Sequence, residues 1–153
     1  MKKLLILISL ICLTGCYPED DNRTTYYNYI RFTNNSSNNL KIIMDDTESS
    51  VIYYDTEVTS NTSTEYIEQI LYSDSFYGIH GNENRIKIIF TDTNKGYICG
   101  DNPDSSGYCF TTKGSPLRTE NINDFIFDKQ EGTSRYYTFE ITQEDYENAH
   151  ELP

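Results

Sequence analysis

Between residues 85 and 91, Ile86, Ile88 and Phe90 fall on one face of an extended chain and Lys87 and Ile89 on the other. A repeat of two belongs to a pleated strand, not to a helix, whose repeat is 3.6. Asp92-Thr93-Asn94-Lys95-Gly96 follows and reads as a hairpin turn, with Gly96 able to take a positive φ. Residues 97–99 then return. This strand and turn set the expected class, because a strand needs paired neighbours and a buried face.

The same period recurs along the chain. In residues 26–33, Ile30 and Phe32 share one face while Tyr27, Tyr29 and Arg31 share the other. The polar run 34–39 reads as a hairpin loop, and residues 40–44 return with Leu40, Ile42 and Met44 inward. Residues 51–55, 108–112 and 125–127 are expected as short strands, and residues 134–141 as the last, with Tyr137, Phe139 and Ile141 on one face. Residues 66–72 fit two patterns. Ile67, Ile70 and Leu71 sit at helical spacing, whereas Tyr66, Ile70 and Tyr72 fit a strand, and strand-rich neighbours favour the strand. Residues 56–63, 100–107 and 113–123 read as linker or loop. Thr142 is placed to cap a helix over residues 143–149, with Glu144 and Asp145 opposite the positive end of its dipole. The expected fold is all-β: one antiparallel sandwich-like domain of seven or eight short strands with a short C-terminal helix. A partly open barrel is the alternative.

Composition agrees. Tyrosine occurs 14 times and tryptophan never, and Asn, Ser, Asp and Gly fill the gaps between apolar runs. The formal charge of −12 repels phosphate backbones and anionic headgroups, which argues against nucleic acid as a partner.

The N-terminus addresses location. Met1-Lys2-Lys3 is basic, residues 4–13 are apolar, and Leu13-Thr14-Gly15-Cys16 ends the run. An apolar segment of about ten residues is too short to span a bilayer, which takes ~20. The arrangement resembles a bacterial lipoprotein signal peptide with its lipobox. The resemblance implies cleavage before Cys16, a diacylglycerol thioether on its sulfur and often a further acyl chain, such as palmitate, on its amine. Two or more chains anchor a protein stably. An ordinary secretory signal cut nearby, leaving Cys16 free, is the alternative. Tyr17 stands where an aspartate would favour inner-membrane retention, so the outer membrane is expected. Glu19, Asp20 and Asp21 resemble the surface-export signal of Bacteroidota lipoproteins; a solvated acidic tether is the plainer alternative. The expected division is a signal peptide at 1–15, a lipidated acidic tether at 16–25 and the β domain at 26–153. The segments Ile86-Lys87-Ile88-Ile89-Phe90-Thr91-Asp92-Thr93-Asn94-Lys95-Gly96-Tyr97-Ile98-Cys99 and Tyr137-Thr138-Phe139-Glu140-Ile141-Thr142-Gln143-Glu144-Asp145-Tyr146 add to this resemblance. Together they point to small lipoproteins of Bacteroidota, of the flavobacterial type. That group implies a compartment and a β fold but no activity. With Cys12 removed and Cys16 lipidated, Cys99 and Cys109 are left as a disulfide pair in an oxidising compartment; a redox-active or metal-binding pair is the alternative.

Candidate chemistry is sparse. His80 and His150 are the two imidazoles, and both read as surface histidines, with His80 in a glycine-flanked loop. No G-x-S-x-G, H-E-x-x-H or P-loop pattern occurs. Asp92 and Asn94 echo the start of a calcium loop, but Pro103 stands where its twelfth-position glutamate belongs. No metal and no cofactor is therefore expected. Tyr26, Tyr27, Tyr29, Tyr53 and Tyr54 read as cross-strand packing partners or as a face for a glycan or protein. The expected function is non-enzymatic binding or structural work by a membrane-anchored domain facing outward from the outer membrane. A periplasm-facing accessory or inhibitor of an envelope protein, and a small hydrolase, are the alternatives.

Overall fold

The computed structural model describes residues 24–100, 107–117 and 122–153. Cys16, Glu19, Asp20, Asp21 and the signal segment lie outside the described residues, as do parts of two expected loops.

Ten strands form two sheets among the described residues. They are β1 (Tyr26–Asn35), β2 (Leu40–Asp45), β3 (Ile52–Val58), β4 (Thr62–Ser63), β5 (Ile67–Leu71), β6 (Arg85–Phe90), β7 (Lys95–Gly100), β8 (Phe125–Glu131), β9 (Ser134–Thr142) and β10 (His150–Glu151). Among the described residues one α-helix, α1 (Gln143–Glu147), sits between β9 and β10, and a 3-10 turn over Ile122–Asp124 precedes β8. The first sheet runs β4-β1-β9-β8, with β5 beside β4 on the same edge of β1. The second runs β10-β7-β6-β2-β3. Period-two burial builds the core between them. Ile30, Phe32, Phe139 and Ile141 come from the first sheet and Leu40, Ile42, Ile88 and Phe90 from the second, all fully buried. The all-β sandwich stands, with more strands than the seven or eight expected.

Several local expectations are corrected. The sandwich is not wholly antiparallel, because β1 and β9 run parallel. Alternation reads the same in either direction, so it sets a strand's face and leaves its sense open. Residues 34–39 are no hairpin loop: they carry the chain from the first sheet to the second. Asn34 is buried there. Its Nδ2 donates to the carbonyls of Asn38 and Val58 at 2.8 and 3.1 Å, and its Oδ1 accepts from the Ser36 amide and hydroxyl. Residues 56–58 extend β3 and 62–63 form β4, so the expected linker is largely strand. Residues 108–112 form no strand; a single bridge pairs Tyr108 with Ile98. β8 is longer than its expected three residues, and α1 ends at Glu147, short of residue 149.

Gly96 does not have a positive φ. It lies inside β7 opposite Ile89, and a β-carbon there would stand 2.1 Å from the Ile88 carbonyl oxygen. Close backbone approach, not turn geometry, requires glycine at this site. Gly132 supplies the positive φ, +62°, at the β8–β9 hairpin.

The expected disulfide is present. Cys99 and Cys109 are bonded, with Cα atoms 4.7 Å apart, and fasten residues 107–110 to β7. His150 is half-buried, not a plain surface residue. Its Nε2 lies 3.0 Å from the Cys109 carbonyl, and its ring meets Tyr97 and Tyr108 edge-on.

Thr142 caps α1 as expected, in a reciprocal capping box with Asp145. Asp145 is buried and does more than cap. Its Oδ2 accepts from the Thr142 amide and hydroxyl, and from Lys113 Nζ at 2.7 Å. Lys113 also donates to the Glu140 carbonyl at 2.8 Å and lies over the rings of Phe110 and Phe139. Tyr97 of β7 donates its hydroxyl to the Asp145 carbonyl at 2.5 Å.

Removing one partner of a buried ion pair leaves the other charge uncompensated, at about 3–5 kcal/mol. Asp145→Ala is therefore expected to destabilise the fold by about 3 kcal/mol or more in urea unfolding. Adding Lys113→Met should recover part of that loss, and simple additivity would contradict the pairing. Burial, with the Asp145 charge adding, pushes the Tyr97 phenol up to about 12. In the unfolded chain it ionises near ~10. The folded state holds this proton more tightly, so stability is intact below about pH 10 and falls as pH rises towards about 12. Burial also raises Tyr54, Tyr66 and Tyr137, adding to the decline. Melting temperatures between pH 8 and 12 should show the fall, with a shallower slope in Tyr97→Phe.

Candidate functional site

The second sheet ends at β3, and β5 lies at one edge of the first sheet. The two edge strands frame an open cleft of about 300 Å³. Met44 of β2 is buried behind it, Tyr53 and Tyr54 come from β3, residues 67–70 from β5, and His80 and Glu83 from the loop before β6. Alternation explains the mixture. On β5, Ile67, Gln69 and Leu71 turn towards the interior, while Glu68 and Ile70 face out. The strand expected over residues 66–72 is present as Ile67–Leu71, and Tyr66, Ile70 and Tyr72 are all exposed.

Gln69 is the unusual member. It is 7% exposed and occupies an inward position between apolar neighbours. Its Nε2 donates to the His80 carbonyl at 2.8 Å, which fixes the orientation of the amide. Its Oε1 has no hydrogen-bond partner among the described residues. Directly across the ladder stands Asn28 of β1, 1% exposed, whose Oδ1 is likewise unpartnered. A buried acceptor without a donor costs about 1–3 kcal/mol. Two such acceptors stand on adjacent strands here, paired across the β1–β5 ladder. In sequence, the signal was a glutamine at an inward position of a strand, which the apolar pattern passed over.

Of the five early tyrosines, Tyr53 and Tyr54 reach the cleft. Tyr53 is 45% exposed, and burial raises the half-buried Tyr54 phenol above its ordinary range. The others lie on the first sheet. Tyr26 has the Arg135 guanidinium over its ring, and Tyr27 is half-buried on β1. Tyr29 stacks on Tyr136 with centroids 4.8 Å apart, and its hydroxyl donates to Glu68 at 2.8 Å, which raises its pKa. Tyr66 meets Tyr136 edge-on and lies under Arg31, and Arg31 and Thr138 both engage Asp128. Lys129 lies over Tyr136 at 4.4 Å. These side chains satisfy one another, so they behave as cross-strand packing.

His80 and the acids Glu68 and Glu83 do share the cleft, the one convergence of acid–base groups foreseen for a hydrolase. Among the described residues, no serine, threonine or cysteine lines it. The calcium-like Asp92 and Asn94 are engaged elsewhere: Asp92 accepts from Asn38, and Asn94 is tied to Leu152 through both its side chain and its backbone. Among the described residues, no group of three or more His, Cys, Asp or Glu side chains is placed to hold a metal ion. Comparison with family models, with curated proteins and with solved structures gave no match to this chain.

Proposed function

We propose that this chain is an exported lipoprotein whose β-sandwich binds a ligand in the cleft between β3 and β5. The anchor would be acyl chains on Cys16, and Glu19, Asp20 and Asp21 would direct the domain to the outer face of the outer membrane. The anchor rests on the sequence from Met1 to Cys16. The buried Cys99–Cys109 disulfide suits an oxidising compartment. The observation that carries the binding role is the cleft itself: open on one side, walled by exposed Tyr53 and Ile70, and lined by Gln69, whose buried side-chain Oε1 is unpartnered. Sites that bind small groups combine apolar walls with a few placed polar atoms. A periplasm-facing accessory would use the same cleft on an envelope protein.

A hydrolase is the second reading, favoured by His80 beside Glu68 and Glu83. It requires turnover that His80→Gln abolishes, whereas a binding role requires none.

Cys16→Ala should move the protein from the membrane fraction to the soluble fraction. An unchanged membrane fraction would contradict the anchor. Protease added to intact cells should remove this protein while a periplasmic control survives. Survival of both until lysis would instead place the domain on the periplasmic side.

A further inference from the structure

We propose that the cleft receives the lysine or arginine side chain of an extended peptide segment on a basic partner protein. A basic occupant presupposes that the domain works by binding, and adds the class of ligand. Three features select it. The polar side chains that line the cleft include the carboxylate of Glu83 and Gln69, whose Oε1 is a buried, unpartnered acceptor, and no lysine or arginine lines it among the described residues. Ile67, Ile70 and Tyr53 offer apolar and aromatic surface, which suits the methylene stem of a long basic side chain and the cation at its end. The whole chain carries a formal charge of −12, which steers cationic partners towards it.

The frame suits a peptide better than a free amine. β3 pairs only with β2, and β5 only with β1, among the described strands. Each therefore presents a second edge beside the cleft, where an extended segment can add main-chain hydrogen bonds. A volume of about 300 Å³ holds one side chain rather than a folded element. Gln69 then gains the donor that the fold leaves out, and the strand edges hold the segment that delivers it.

The test uses the full mature protein in non-ionic detergent and fluorescein-labelled, strand-forming peptides that differ at one central position: lysine, arginine, norleucine or glutamate. Fluorescence anisotropy should show the lysine and arginine peptides binding at least tenfold more tightly than norleucine, and glutamate not at all. Raising the salt should weaken the basic peptides. Gln69→Leu and Glu83→Gln should each lower their affinity about fivefold or more, with melting curves close to that of the parent. Glu83→Gln carries the test if Gln69→Leu does not fold. Equal binding of lysine and norleucine peptides would overturn the basic occupant and leave a binding domain with an apolar ligand. Binding of N-acetylglucosamine or another neutral sugar in place of the peptides, lost in Gln69→Leu, would overturn it in favour of a hydroxyl-rich ligand. No binding by any probe would overturn both the basic occupant and the binding role of the cleft.

Discussion

The ammonium of Lys113 is held where both sheets, the disulfide-fastened segment and the C-terminal helix meet. Its side chain is 17% exposed and that of its partner Asp145 is 5% exposed. Charges this sheltered lose most of their hydration, and they are tolerated only with short contacts and further hydrogen bonds. Both conditions hold: Lys113 reaches Asp145 and the Glu140 carbonyl, and the same carboxylate oxygen closes the cap on Thr142. The aromatic faces of Phe110 and Phe139 supply part of what water would have supplied. Through the Tyr97 hydroxyl, the backbone of α1 is joined to β7 in the other sheet. The position of β9 at the centre of the first sheet, the seat of α1 and the course of residues 107–113 all converge on this contact.

That closure gives the sandwich two unlike sides. On the β7 side, the disulfide, the His150–Cys109 contact and the short β10 strand cover the edge of the second sheet. On the far edge of that sheet, β3 pairs with β2 alone among the described strands, and the polar pair Asn28 and Gln69 lies across the β1–β5 ladder of the other sheet. Energy is concentrated where the chain is tied and left unclaimed where it is open. An unsatisfied buried group in a folded domain is retained against its cost, and a binding role gives that cost a purpose.

Much of this was legible in the sequence. Ile30, Phe32, Ile42, Ile88, Phe90 and Phe139 face inward because their spacing required it, and Thr142 caps because its side chain and Asp145 stand three residues apart. The Cys99–Cys109 pairing was expected from what a lipoprotein signal would do to the other two cysteines, and the two are bonded. Strand direction was not legible, since alternation survives reversal, and β1 lies parallel to β9. The corner at Asn34 was misread because amides and hydroxyls that end a strand in a hairpin also end one at a change of sheet. Residues 56–58 read as linker because an edge strand needs few apolar residues, and Val58 alone of the three is buried. The cleft was invisible for a related reason. It joins two edges brought together by the fold, and its central residue, Gln69, breaks the apolar pattern by which the core was found.

The proposal joins a location read from the sequence to the architecture: an acylated tether would hold an acidic sandwich whose open edge takes a ligand. Its foundation is the proposed lipidation of Cys16, from which anchorage, an oxidising compartment and outward presentation would all follow. Mass spectrometry of the N-terminal peptide of the native, cell-derived protein tests this directly. The account predicts a chain beginning at Cys16 with a diacylglyceryl thioether on its sulfur. A mature chain that begins elsewhere, or a Cys16 with a free thiol, would contradict it.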